Sequence, residues 1–269
     1  MIIPPRVSAF HYWKKIYAEL MGNHKNCWIK SQQGNIMLGK SYLSAVFCVI
    51  RAILYPGSKI VIASGTRAQA IGILNKITLE LKPNSPALAF EISEKETKIN
   101  GTDAQIVFKN GSFIKVVTSG ESARGNRANI LIIDEFRLVP KDTVDTILSK
   151  FLTNNRMPDY SELSKEERRI AREKDANKTL YLSSAYFSDS WAYEKCLSLF
   201  KLMQDDTKHA FVCGFPYQLA IKEGLLSTES VADQMAESDF SEVKWSIKFL
   251  CSLNLLNLLL TGCVANTKV

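Results

Sequence analysis

A glycine-rich segment holds the residues of this sequence best suited to binding phosphates. Its spacing is G-x-x-x-x-G-K-[ST], and its residues are Gly34-Asn35-Ile36-Met37-Leu38-Gly39-Lys40-Ser41. In such a loop the backbone N–H groups surround a phosphate chain, the lysine reaches the terminal phosphates and the hydroxyl ligates Mg²⁺. The spacing therefore predicts a nucleotide site built from Gly34, Gly39, Lys40 and Ser41. The alternative is a glycine turn before a buried helix.

Two adjacent acids provide the second half of the predicted site. The apolar run Ile130-Leu131-Ile132-Ile133 is followed directly by Asp134 and Glu135. One carboxylate can hold Mg²⁺ while the other polarises a water molecule, so the pair completes a site for ATP hydrolysis. The alternative is a buried parallel strand whose acids cap the next helix.

Composition indicates a globular domain and favours a polyanionic partner. The chain has 269 residues, 46% of them hydrophobic. Its net charge of +7 modestly favours nucleic acid as a binding partner. Its six cysteines show no C-x-x-C spacing and its three histidines are scattered, so neither a zinc site nor a disulfide framework is indicated. A reducing cytosol is the expected compartment.

Apolar β-rich runs alternate with helix-like stretches, which predicts an α/β fold with a mainly parallel sheet. Lys59–Ser64 and Thr179–Ala185 are predicted strands, and Ala68–Leu81 is a predicted helix. Asn110-Gly111 lies between two β-branched runs and predicts a hairpin. Further elements are a predicted strand at Cys27-Trp28-Ile29, helices over Tyr42–Ile50 and Thr143–Phe151, and a charged helix that begins with the capping box Ser164-Lys165-Glu166-Glu167.

The order of these parts resembles the ATPase half of the large terminase subunit, the DNA-packaging motor of tailed phages. The resemblance runs from about residue 25 to residue 240. It rests on the glycine-rich loop and on three further segments, Ala63-Ser64-Gly65-Thr66-Arg67, Ala123-Arg124-Gly125 before the Asp-Glu strand, and a later strand ending Ser183-Ser184-Ala185. It implies a P-loop NTPase fold of the ASCE type, with a mainly parallel sheet flanked by helices.

The resemblance also implies roles for individual residues. Ser41 and Asp134 would hold Mg²⁺, Glu135 would be the catalytic carboxylate, and Arg124 would reach a neighbouring subunit's site. Arg127 is the alternative to Arg124, and either could be an ordinary surface or DNA-facing charge. Ser183, Ser184 and Ala185 match the motif that couples hydrolysis to movement, on a strand expected between the two Walker strands, and Arg67 could couple the site to DNA.

The predicted organisation has four parts. They are an incomplete N-terminal segment (1–24), the ATPase domain (25–212), the start of a linker subdomain (213–245) and an aberrant apolar tail (246–269). The tail is short for a membrane span. A nuclease domain is expected to be absent, so no DNA cleavage is predicted with Mg²⁺ or Mn²⁺, and a plasmid-nicking assay would test this.

The resemblance implies an ATP- and Mg²⁺-dependent motor that packages double-stranded DNA into a procapsid. The implied partners are the portal protein and the small terminase subunit, and the implied assembly is a homo-oligomeric ring without a membrane. It would work in the cytoplasm of the bacterial host, transiently at the procapsid portal. Two alternatives remain open: a degenerate prophage fragment without activity, and another nucleic-acid-stimulated P-loop ATPase.

Overall fold

The computed structural model describes most of the chain between residues 40 and 236. Within that range it leaves out residues 102, 121–122, 154–155, 157–163, 168–174, 185–189, 206–209, 213–220, 223 and 225. The predicted strand at 27–29 and the loop residues Gly34 to Gly39 therefore lie outside the described residues. The described residues fall into two compact units, one within Gly39–Leu182 and one within Ser183–Val269.

A five-stranded sheet forms the centre of the first unit. Its strands are β1 (Lys59–Ser64), β2 (Gln105–Val107), β3 (Phe113–Thr118), β4 (Ile130–Asp134) and β5 (Lys178–Leu182). The spatial order is β2-β3-β1-β4-β5, with β2 antiparallel to β3 and the other neighbours parallel. The predicted mainly parallel sheet is confirmed.

Helices cover the sheet. In the first unit they are α1 (Lys40–Leu54), α2 (Arg67–Asn75, continued by a π-helical stretch Lys76–Leu81), α3 (Pro86–Glu91) and α4 (Lys141–Thr143, continued by Val144–Leu148 and Ser149–Thr153). The second unit contains α5 (Trp191–Met203) and α6 (Thr228–Ala236). In the part of the chain that the structure describes, no helix combines the length and apolar character that a membrane span needs.

The central strands are apolar because both of their faces are covered. In β4 all five residues are buried, and in β1 only Lys59 is exposed. Alternate residues of β1, β3 and β4 join one hydrophobic core with the helices α1, α2 and α3; these residues are Ile60, Ile62, Ile114, Val116, Ile130 and Ile132. Parallel strands covered on both faces have continuous apolar sequences of this kind.

The predicted turn signals are also confirmed. Gly111, in the β2–β3 hairpin, has a φ of 81°, in the region that glycine adopts without a steric penalty. Thr66 caps the first turn of α2 by accepting a hydrogen bond from the Gln69 N–H group. The capping box forms as predicted, because Ser164 N donates to Glu167 Oε2 and Glu167 N donates to Ser164 Oγ. The predicted strand 179–185 is shorter than expected: β5 ends at Leu182, and Ser183 and Ser184 follow it.

Asn129 joins the amino-terminal ends of three strands. Its side-chain Oδ1 accepts from Lys59 N at 3.0 Å, and its backbone N donates to Lys59 O at 2.8 Å. Its carbonyl accepts from Lys178 N at 3.0 Å. The side chain is buried, so these bonds form away from water. Asn129 thereby helps to set the register of β1, β4 and β5 at the edge opposite to their carboxyl ends.

We predict that Asn129→Ala lowers the free energy of unfolding by about 1–3 kcal/mol, because the Lys59 N–H group loses its side-chain acceptor. Urea denaturation measures the change. Asn84→Ala is the control, since the Asn84 hydrogen bond to Glu80 O is exposed, and we expect a change within about 0.5 kcal/mol. Equal losses in the two variants would contradict a special role for Asn129.

Candidate active site

The carboxyl ends of four strands align at one edge of the sheet. Ser64 of β1 pairs with Thr118 of β3 on one side and with Asp134 of β4 on the other. Asp134 in turn pairs with Leu182 of β5. In open α/β sheets the carboxyl ends of the strands are where ligands bind. The predicted acids therefore lie at the edge that suits a binding site.

Lys40 and Glu135 are 95 residues apart in the sequence and form an ion pair at this edge. Lys40 is the first residue of α1, and its Nζ donates to Glu135 Oε1 at 3.0 Å. Their side chains are 29% and 20% exposed, respectively. Ser41 follows Lys40 in the first turn of α1. The structure thus brings Lys40, near the end of the glycine-rich motif, into contact with Glu135, which directly follows β4.

Asp134 is a buried carboxyl group at the end of β4, with 6% of its surface exposed. Burial raises its pKa above the ordinary value, and the Glu135 carboxylate raises it further. The Lys40 ammonium and a hydrogen bond from the Glu135 backbone act in the opposite direction. Ionisation of Asp134 therefore costs free energy in the folded protein, and a nearby cation would reduce that cost.

The backbone turns sharply at Glu135. Its φ of 47° and ψ of 49° are left-handed, and among the described residues it is the one non-glycine position with a positive φ. A short 3₁₀ turn, Phe136–Leu138, follows, and Leu138 N donates to Glu135 O at 2.9 Å. β4 therefore ends at Asp134, one residue earlier than the apolar-Asp-Glu pattern predicts.

Neighbouring strands hold this turn in place. The buried ring of Phe136 packs edge-on against Tyr181 of β5, with 5.3 Å between ring centroids. On the other side, a Cβ atom built on Gly65 would lie 3.4 Å from Leu138 Cβ, so the gap between the turns after β1 and β4 is only wide enough for a Cβ atom. A backbone this far from the common conformations persists because the surrounding structure fixes it.

Arg137 is a member of the site that sequence reasoning missed. Its Nε donates to Glu135 Oε2 at 3.1 Å, so the two carboxylate oxygens of Glu135 bind two different cations. The arginine side chain is 25% exposed. The sequence signal was an arginine two residues beyond the acid pair, but that spacing carries meaning only once the turn at Glu135 is known.

The oxygen donors near Lys40 suit Mg²⁺. The Asp134 carboxylate and the Ser41 hydroxyl are hard oxygen ligands, which Mg²⁺ prefers, and Mg²⁺ commonly takes one or two protein ligands together with phosphates and waters. In the described residues no group of three or more His, Cys, Asp or Glu side chains could hold a metal by itself. The donor set fits a cation that is shared with a nucleotide.

The remaining predicted residues lie on loops. The segment after β3 leaves the sheet at the carboxyl edge, where Ser119 N donates to Ser64 O at 3.3 Å, and Arg124 is exposed in a turn farther along it. Arg127 is exposed and donates to Asn126 O.

Ser183 and Ser184 directly follow β5, and Ala185 lies outside the described residues. β5 is the neighbour of β4, as expected for the coupling strand, while its other predicted neighbour, at 27–29, is outside the described part.

Residues 31–159 match the family model for the ATPase domain of the terminase large subunit. This segment is a terminase ATPase domain. The match includes the phosphate-binding motif, the acid pair and the loop that carries Arg124. The family consists of ATP-driven DNA-packaging motors, and its domain has the P-loop fold of the ASCE type, so the predicted family and fold class are confirmed.

Solved structures of phage terminases share the fold of the terminase ATPase domain. The ATPase domain of the Thermus phage P74-26 large terminase matches with a TM-score of 0.54 and 13% identity, over 80% of this chain and 84% of that chain. The large terminase of a second, thermophilic bacteriophage, in complex with ADP, matches with a TM-score of 0.53 and 15% identity, over 89% of this chain and 53% of that chain. This chain thus spans about half the length of the ADP-bound terminase. No curated protein matches it.

We predict that Asp134→Asn stabilises the metal-free terminase ATPase domain at neutral pH. Because the pKa of Asp134 is raised by folding, wild-type stability falls as the pH rises from the ordinary Asp value of about 4 to the raised pKa. The folded state binds the proton more tightly than the unfolded state throughout that window. Asparagine does not ionise, so Asp134→Asn should not lose stability in this window. The free energies of unfolding of the wild type and the variant should therefore be similar at low pH and diverge as the pH rises.

Urea denaturation in EDTA across pH 4–8 measures the effect. The control is Asp142→Asn, at an exposed position on α4, whose curve should run parallel to that of the wild type. A variant Asp134→Asn that is less stable than the wild type at neutral pH would contradict the inferred cost of burying this carboxylate.

Proposed function

We propose that this chain is the ATP-hydrolysing motor subunit that drives double-stranded DNA into a viral procapsid. The observation that carries the proposal is the contact of Lys40 with Glu135, at 3.0 Å, at the sheet edge where Asp134 ends β4. Three residues that the chemistry needs meet there, within a segment that matches the terminase ATPase family. The terminase of the thermophilic bacteriophage, which shares the fold, binds ADP.

In this proposal the glycine-rich segment holds the phosphates of ATP. The backbone amides from Gly34 to Gly39 surround them, and Lys40 Nζ moves from Glu135 to the β- and γ-phosphates. Ser41 and Asp134 would hold Mg²⁺, which would neutralise charge on the phosphate oxygens. The raised pKa of Asp134 supports this assignment, because the carboxylate lies where a cation would stabilise its charged form.

Glu135 activates the attacking water. The water oxygen bonds to the γ-phosphorus, the bond from that phosphorus to the bridging oxygen breaks, and its electron pair leaves with ADP. One water proton passes to the Glu135 carboxylate and then to solvent, which yields ADP and inorganic phosphate. The protein contributes positioning and charge stabilisation, which are the main requirements of phosphoryl transfer.

The larger assembly is part of the same proposal. Arg124 completes the site of a neighbouring subunit in a ring, and Ser183, Ser184 and Ala185 couple hydrolysis to movement. The exposed position of Arg124 supports a role between subunits. The ring binds double-stranded DNA, the portal protein and the small terminase subunit in the cytoplasm of the host, transiently at the procapsid. Residues 25–212 form the ATPase domain, and 213–245 begin a linker.

We predict that Lys40→Ala abolishes nucleotide binding, whereas Glu135→Gln retains binding and loses turnover. Glutamine keeps the shape of glutamate but cannot accept the proton. Binding of a fluorescent ADP analogue and release of phosphate give the two measurements. The control for the lysine is Lys150→Ala, at an exposed position at the end of α4, which should change neither. Unchanged hydrolysis in Glu135→Gln would remove it as the catalytic carboxylate, and a wild type without turnover would favour an inactive fragment.

We predict that Arg124→Ala leaves nucleotide affinity nearly unchanged and lowers turnover in the assembled ring by about 10³-fold. The decisive experiment mixes Arg124→Ala subunits, which keep Lys40 and Glu135, with Glu135→Gln subunits, which keep Arg124. If the arginine acts in trans, some interfaces regain a complete site and activity returns. Mixtures as inactive as their components, in conditions where the wild type assembles, would show that Arg124 does not act in trans.

A further inference from the structure

The Lys40 ammonium group has two competing partners, Glu135 and the phosphates of ATP. In the structure it donates to Glu135 Oε1, but in the proposed function it must bind the phosphates of ATP. Nucleotide binding therefore takes one of the two cationic contacts away from Glu135. At that moment the catalytic carboxylate needs another contact to keep its direction, because a glutamate side chain has several rotatable bonds and solvent on one side.

Arg137 is placed to supply that contact. It binds the other oxygen of the carboxylate, Oε2, at 3.1 Å through Nε, so it does not compete with Lys40 for Oε1. Both residues belong to the same turn, which is held by the packing of the Phe136 ring on Tyr181. Movement of Lys40 leaves this turn in place. The Arg137–Glu135 hydrogen bond can thus survive the arrival of the nucleotide.

We propose that Arg137 is a positioning residue for the catalytic glutamate, an inference that rests on the proposed ATPase function. When ATP takes Lys40, Oε1 of Glu135 loses its contact with the lysine and is the oxygen that accepts the proton of the attacking water. Oε2 stays on Arg137 and fixes the direction in which Oε1 points. The exchange of partners also orders events, because Lys40 leaves Oε1 of Glu135 only when the phosphates take it.

The expected effect concerns rate more than stability. A partly exposed ion pair contributes little to folding, so its loss should leave the domain folded. A misplacement of a reacting group by about 1 Å can reduce the rate by about 10²-fold. Removal of Arg137 should therefore lower kcat and leave the KM for ATP nearly unchanged, since Arg137 acts on Glu135 and not on the phosphates.

The kinetic test compares Arg137→Gln with Arg137→Lys and with Lys141→Gln, the last being an exposed basic residue on α4 that serves as a matched control. We expect Arg137→Gln to lower kcat by about 10- to 100-fold with KM within about 2-fold. Arg137→Lys should restore part of the rate, and Lys141→Gln should match the wild type.

A second readout does not depend on turnover. The ¹⁵N NMR signal of the Arg137 Nε–H group should be protected from exchange with water in the wild type and lose that protection in Glu135→Ala, which removes the acceptor. We expect the protection to persist when a non-hydrolysable ATP analogue saturates the site. Loss of protection on binding the analogue would overturn the proposal, because Arg137 would then have left Glu135.

The outcomes separate the two levels of inference. An active wild type together with an unchanged kcat in Arg137→Gln would overturn the positioning role and leave the proposed function standing. A KM that rises in step with the loss of kcat/KM would also overturn it, since Arg137 would then bind the phosphates. A wild type that binds the analogue but never hydrolyses ATP would overturn the proposed function and the inference together.

Discussion

The site depends on the placement of two adjacent carboxylates at the end of one buried strand. The Glu135 carboxylate repels the charge on Asp134, and burial of Asp134 adds a desolvation cost, so both raise the pKa of Asp134. The structure offsets these costs with cations: Lys40 lies against Glu135 and lowers the pKa of Asp134, and Arg137 holds the second oxygen of Glu135. In the proposed function, ATP and Mg²⁺ would add further charges at this site. Lys40 would leave Glu135 for the phosphates, and Mg²⁺ would bind beside Asp134.

The sheet supports this arrangement from its opposite edge. Asn129 links the first residues of β1 and β5 to its own position just before β4, and the strands then run in register to their carboxyl ends. Because the register is set at one edge, Ser64 and Asp134 reach the other edge side by side. The apolar side chains between the two edges exclude water from the strands and add rigidity, while the chemistry is left to residues just beyond the last strand positions.

The parts that sequence predicts are those with a local signal. Continuous apolar runs and turn residues located β1, β4 and the β2–β3 hairpin without knowledge of the fold. Phosphate binding by the glycines, Lys40 and Ser41, which their spacing indicates, stays a prediction. Arg137 and Asn129 could not be assigned in that way, since their roles come from backbone geometry that their own residue types do not encode. The end of β5 at Leu182 was missed because hydroxyl residues are compatible with a strand and with the loop after it. The roles of Arg124 and of Ser183 to Ala185 involve a neighbouring subunit or a moving segment and stay predictions.

The left-handed backbone at Glu135 has a consequence for the geometry of paired acids. Successive side chains of an extended strand point to opposite faces of the sheet. Had β4 continued through residue 135, its two carboxylates would have been separated by the sheet itself, and no single lysine could influence both. One residue with positive φ breaks this alternation and brings both acids within the influence of Lys40. A β-branched residue at position 135 would resist that conformation, so the turn restricts which side chains can follow Asp134 even before catalysis imposes its own requirement.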